Sequence, residues 1–162
     1  MEQTEDSLSG KRDNPSISIV PAILKDAEGI ARILKDSFPG EASFYKVRSW
    51  ETEAKRIMRC HRGWITFIAL DGGEISGVVA ARHLPHCPVS TIRIEWLAVD
   101  SDKRGKGIGK ALIDHLVGWA FKTFSESKVR LTLRARTHVQ DFYRKLGFRH
   151  FGSGWMKMVV NK

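Results

Sequence analysis

The sequence predicts a mixed α/β domain, a central sheet with helices on its faces. Three observations predict it. Strand-like and helix-like stretches alternate in the order β-α-α-β-β-β-α-β-α-β, with a further short strand at the end. Asp71-Gly72-Gly73 joins two of the strands as a tight hairpin. Residues 92–99, β-branched and apolar, run through a charged, glycine-bearing turn into a helix and then a further strand, a strand–helix–strand crossover.

Taken in order, residues 1–16 are polar and lack the apolar run of a signal peptide, so they read as a flexible tail. Residues 17–162 read as one domain. Residues 17–20 alternate as a short strand that Pro21 ends. Asp26 is placed to cap a helix reaching about Phe38, with Ala27, Ile30, Ile33 and Leu34 on one face, and Pro39-Gly40 stops it. Residues 49–61 form a second, basic amphipathic helix. Residues 64–70 and 74–81 are the hairpin strands, and Pro85 and Pro88 bracket a loop. In the next helix Ile108, Leu112, Leu116 and Trp119 share a face. Residues 128–134 alternate as a strand, residues 139–146 are helical, and Gly147 closes that helix. Residues 148–151 and 155–160 are the final strands.

Composition narrows the classes. The apolar fraction is 42% and the charged fraction 28%, those of a soluble globular protein. No run of 18 apolar residues offers a membrane span. Only two cysteines, Cys60 and Cys87, make a disulfide framework the weaker reading, and a reducing cytoplasm is the expected location. Net charge is +9, and residues 101–150 hold twelve Lys and Arg against four Asp and Glu. Such a surface suits a polyanionic ligand, and charge alone does not separate a coenzyme from a nucleic acid.

The turn before the third helix is the most specific feature. It carries Gly105, Gly107 and Gly109 among Lys103, Arg104, Lys106 and Lys110, with no acidic residue between Lys103 and Ile113. A helix start offers unpaired N–H groups and partial positive charge, and glycines let a phosphate approach the backbone. The dinucleotide pattern fails because its third glycine would fall on Lys110. The triphosphate-loop pattern fails at Arg104 and Ala111.

What fits is Arg104-x-x-Gly107-x-Gly109 after a strand ending Leu97-Ala98-Val99, which resembles the acetyl-CoA-binding motif of the GNAT superfamily of N-acetyltransferases. Downstream, Phe142-Tyr143-Arg144-Lys145-Leu146-Gly147-Phe148 is similar to the segment that closes that fold. The resemblance covers roughly residues 17–160. It implies a mostly antiparallel sheet with a splayed strand pair and about four helices, and acetyl-CoA as co-substrate. Leu97, Ala98, Val99, Arg104, Gly105, Lys106, Gly107, Gly109 and Lys110 are the implied coenzyme contacts, the Leu97 N–H facing the thioester carbonyl. Arg136 stands where many members have an asparagine, a departure that leaves phosphate contact or no role open.

Transfer to an amine needs a proton for the leaving thiolate. Tyr143 is the residue the resemblance implies, with aromatic packing as the alternative. Glu95 is the candidate base. It lies two residues before Leu97, on the same side if no bulge intervenes, and a salt-bridged carboxylate is the competing reading. Arg93 occupies another position where relatives carry that glutamate, and His138 is a weaker candidate.

Cys60-His61 and His83-x-x-His86-Cys87 match no standard zinc spacing, so no metal is expected. Phe38, Phe44, Tyr45 and Trp50 are placed to wall the acceptor pocket or to pack two helices. Lys46, Arg48, Lys55, Arg56 and Arg59 point to an acidic acceptor or form a solvated face. The expectation is therefore an acetyl-CoA-dependent N-acetyltransferase acting on a primary amine, without membrane or nucleic-acid partners and with homodimerisation common in the resembled family. The alternative is a non-catalytic acyl-CoA sensor or a basic nucleic-acid or ribosome-binding module on the same fold.

Overall fold

A computed structural model describes residues 17–38, 47–59, 63–85 and 89–162. In chain order the elements are β1 (Ser18–Pro21), α1 (Ala27–Ser37), α2 (Trp50–Ile57), β2 (Trp64–Asp71), β3 (Glu74–Leu84), β4 (Ser90–Val99), α3 (Ile108–Thr123), β5 (Lys128–Arg134), α4 (Gln140–Lys145), β6 (Arg149–His150) and β7 (Trp155–Asn161). The strands form one sheet, ordered β1-β2-β3-β4-β5-β7-β6. Every neighbouring pair is antiparallel except β4 and β5, which are parallel. Among the described residues no helix is long and apolar enough to cross a membrane.

Local chemistry accounts for the helix ends. Asp26 stands at the N-terminus of α1, but its carboxylate accepts from the Ile23 N–H at 2.8 Å rather than from within the helix. Ser49 caps α2 by accepting from the Thr52 N–H at 3.1 Å. That helix is shorter than its sequence pattern: the Thr66 hydroxyl donates to the Ile57 carbonyl at 2.6 Å and takes over one of its last acceptors. Gly147, at φ +95°, ends α4, with the Phe148 N–H returning to the Tyr143 carbonyl at 3.0 Å. Residues 1–16, Pro39-Gly40, Phe44, Tyr45, Lys46, Cys60, His61, His86, Cys87 and Pro88 lie outside the described residues.

Two apolar layers sandwich the sheet. Phe67, Val79, Ile92, Leu112, Leu116, Leu131 and Phe148 pack on the α3 side. Ile30, Leu34, Trp50, Ile57, Val78, Trp96 and Ala98 pack on the α1/α2 side. β4 contributes to both through a bulge. Ala80 opposes Trp96 while Ala81 opposes Ile94, so Glu95 has no partner on β3. An uninterrupted strand would send Ile92, Ile94, Trp96 and Ala98 to one face. The extra residue reverses the parity, and Ile92 and Ile94 face α3 while Trp96 and Ala98 face α1 and α2.

The same strand parts from its neighbour. Ser90 to Arg93 pair with Val129 to Thr132, and beyond Arg93 β4 has no partner on β5. β5 stays with β7 along its whole length. The result is a wedge between β4 and β5, closed at Arg93 and Thr132 and open toward the start of α3. Gly77 keeps that helix close to the sheet: a Cβ there would lie 2.9 Å from Ile108 Cγ2.

Candidate active site

The wedge holds a cavity of about 540 Å³, within the range of small-molecule sites. One wall is β4 from Ile94 to Val99; the other is the end of β5 with Ala135 and Arg136. Phe142 and Tyr143 of α4 project into it, and Ser37 and Phe38 at the end of α1 close one side. Glu95, Leu97, Ala98, Val99, Arg104, Gly105, Gly107, Gly109, Lys110, Arg136 and Tyr143 all line it, and so does His138. Lys106, the remaining expected contact, does not.

Glycine chemistry shapes the mouth. Gly105 and Gly107 sit at φ +77° and +78°, the left-handed region that other residues enter at a cost. Gly107 is the residue before α3, and neither a side-chain cap nor an acidic residue occupies the first turn. Its N–H groups and dipole are therefore free to face an anion. At Gly109 a Cβ would come 3.1 Å from Phe142 Cζ, so α3 and α4 meet closely beside the cavity.

The cations of the turn are not isolated. Lys103 pairs with Asp71 at 2.7 Å, and that contact raises its pKa. Lys110 pairs with Asp114, one helical turn on. Arg104 donates through Nε to the Val99 carbonyl at 3.2 Å and through Nη2 to Ser37 Oγ at 3.4 Å, with Asp36 at 3.7 Å. It thus braces the turn against α1.

Tyr143 is buried, its ring edge-on to Phe142 and Phe148 at 5.0 and 5.6 Å. Burial pushes its phenol up to about 12. Glu95 is the bulge residue. Its Oε1 accepts from Arg93 Nε at 2.7 Å, leaving Oε2 for another partner. The bulge breaks the two-residue spacing to Leu97. Leu97 packs toward the α3 layer, while Glu95 acts on Arg56 of α2.

Sequence reading missed Glu53. It is 3% exposed on α2, and its carboxylate accepts from Arg56 Nε at 2.6 Å and from the Trp96 indole at 2.7 Å. The available signal was its place on the apolar face with Trp50, Ala54 and Ile57. Trp96 also meets Phe38 at 5.2 Å and Trp50 at 5.5 Å; Phe38 and Trp96 line the cavity, and Trp50 and Glu53 pack behind them.

Residues 27–148 match the sequence profile described as the acetyltransferase (GNAT) family. The human N-acetylaspartate synthetase is 34% identical over 87 residues, which is 54% of this chain and 28% of that protein. The chain thus spans well under half the length of the curated relatives it matches. Among solved structures, a ribosomal-protein-alanine N-acetyltransferase from Brucella melitensis biovar Abortus 2308 is 30% identical, with a TM-score of 0.60, covering 81% of this chain and 87% of that one. The PaiA N-acetyltransferase from Thermoplasma acidophilum, in complex with coenzyme A, has a TM-score of 0.69 at 15% identity, covering 91% of this chain and 99% of that one, a likeness of fold.

Proposed function

The chain belongs to the acetyltransferase (GNAT) family, and from that premise we propose that residues 17–162 form one catalytic domain transferring an acetyl group from acetyl-CoA to a primary amine. The observation that carries the reading is the wedge. Its mouth is an uncapped, glycine-turned helix start suited to a pyrophosphate, its walls mix apolar side chains with Glu95, Arg136 and His138, and Tyr143 lies inside. Its fit to the coenzyme rests on that donor set: Gly105, Gly107 and Gly109 admit phosphate to the backbone, with Arg104, Lys106, Lys110 and Arg136 supplying charge around it. The splay leaves one edge of β4 without a strand partner, and backbone groups of Leu97, Ala98 and Val99 on that edge hold the amide arm and the thioester.

The chemistry balances with the residues present. The amine nitrogen forms the new bond to the carbonyl carbon and the carbon–sulfur bond breaks. The amine proton passes to Glu95 through its open Oε2, directly or by water. Tyr143 donates to the departing sulfur. A phenol near 12 stays protonated through neutral pH. An ordinary thiol titrates near 8.5, so complete transfer from the phenol is uphill by roughly 5 kcal/mol. The main contribution of Tyr143 is then its hydrogen bond to the sulfur, and the proton released by the amine completes the thiol. The location that goes with this reading is a reducing cytoplasm, which the low cysteine count, two in 162 residues, supports.

The test is Tyr143→Phe. Turnover, followed as free thiol released from acetyl-CoA across an amine panel, should fall about 10²–10³-fold, the scale of one lost transition-state hydrogen bond. Acetyl-CoA affinity by calorimetry should stay within about threefold. Near-normal turnover removes Tyr143 from the mechanism, and acetyl-CoA binding without release across a broad panel removes the transferase reading.

A further inference from the structure

At the closed end of the wedge Glu95, which lines the cavity, pairs with Arg93, and Arg93 belongs to a basic row across the sheet. Register places Trp64, Arg82, Arg93, Thr132 and Lys157 opposite one another in one row across β2, β3, β4, β5 and β7. Opposed residues project from the same face. Trp64 belongs to the α1/α2 core, so the row lies on the side away from α3. That core includes no residue of β5 or β7, and its helices rest on β2, β3 and β4. The next row adds Arg130, between Thr91 and Val159.

Charge on this face is poorly compensated. Among the described residues Arg93 is hydrogen-bonded through its Nε alone, to Glu95. Arg82 stacks on the Trp64 ring, its guanidinium carbon 5.6 Å from the centroid, without a carboxylate partner among the described residues. The Arg130 Nε is buried with no hydrogen-bond partner among the described residues.

Position ties the face to the reaction, a link that rests on the function proposed above. The coenzyme phosphates belong at the wedge mouth, so its acyl end points toward the apex at Arg93 and Thr132. We propose that this face selects the acceptor, and that the acceptor is a small primary amine bearing carboxylates, of the acidic amino acid class. Its amine meets Glu95 while its carboxylates are held by Arg93 and Arg82, with Arg130 adding positive charge from the next row. Arginine forks suit carboxylates because they bind both oxygens at once.

The experiment compares aspartate and glutamate with asparagine, glutamine, spermidine and lysine amide as acceptors in the thiol-release assay. The acidic amines should be preferred at least about 100-fold in kcat/KM. Arg82→Gln should raise the acceptor KM about tenfold while kcat and acetyl-CoA affinity hold, with Arg82→Lys regaining part of the loss. Equal use of neutral or cationic amines, an unchanged KM in Arg82→Gln, or retention of the protein on RNA at physiological salt in place of acidic-amine use overturns the proposal. If no amine is acetylated, the transferase reading fails by itself. Titration of the protein–coenzyme A complex with glutamate then decides the face: saturable binding lost in Arg82→Gln upholds it, and no binding overturns it.

Discussion

The turn from Lys103 to Lys110 and the sheet face from Arg82 to Lys157 carry similar charge in opposite circumstances. The turn is a local cluster without an acidic residue inside it, yet folding brings Asp71, Asp36 and Asp114 to three of its four cations. The sheet face is assembled from residues far apart in sequence, and among the described residues Glu95 is its one ion-paired carboxylate. A count of charges along the chain therefore overstates the free positive charge at the coenzyme mouth and misses it at the wedge apex. At the mouth, anion binding leans on backbone N–H groups and the helix dipole, which no side chain neutralises.

The largest test of this contrast is Gly107→Glu. A side chain must enter the left-handed region at the turn, and a carboxylate would face the phosphates. Acetyl-CoA binding by calorimetry should disappear while the far-ultraviolet dichroism stays near wild type. Retained binding would show that side-chain cations, not the helix start, hold the coenzyme.

A second test reads the uncharged group between the two surfaces. The phenol of Tyr143 titrates near 10 when exposed and near 12 when folded. Below pH 10 both states hold the proton and nothing is lost. From pH 10 to 12 the unfolded chain has released it and the folded chain has not, so stability should fall by about 3 kcal/mol. Tyr143→Phe should flatten that part of a urea-denaturation pH series.

The smallest effect is expected from Asp114→Asn. It frees Lys110 from an exposed pair, so stability should change by no more than about 0.5 kcal/mol. Acetyl-CoA affinity should rise at most about threefold, and less at high salt.

Much of the cavity lining was legible in the sequence. The strand–turn–helix with Gly105, Gly107 and Gly109, and Tyr143 before Gly147, are local patterns with local causes. Glu53 had only its place on the apolar face to mark it, because an i,i+3 pair with Arg56 reads as a solvated helix face until Trp96 is packed over it. The Glu95 bulge was not legible. Ile92, Ile94, Trp96 and Ala98 make one regular apolar alternation, and only the pairing with Ala80 and Ala81 shows where it breaks.

Propensity, turn chemistry and glycine placement by themselves determined the order of elements and the helix start that faces the mouth, since each depends on neighbours a few residues away. Tertiary structure alone decided which cations are neutralised, which side of β4 each residue faces beyond Glu95, and that Arg82, Arg93 and Arg130 share one sheet face. Those depend on strand register and on carboxylates from other elements, and a single inserted residue in one strand is enough to reverse them.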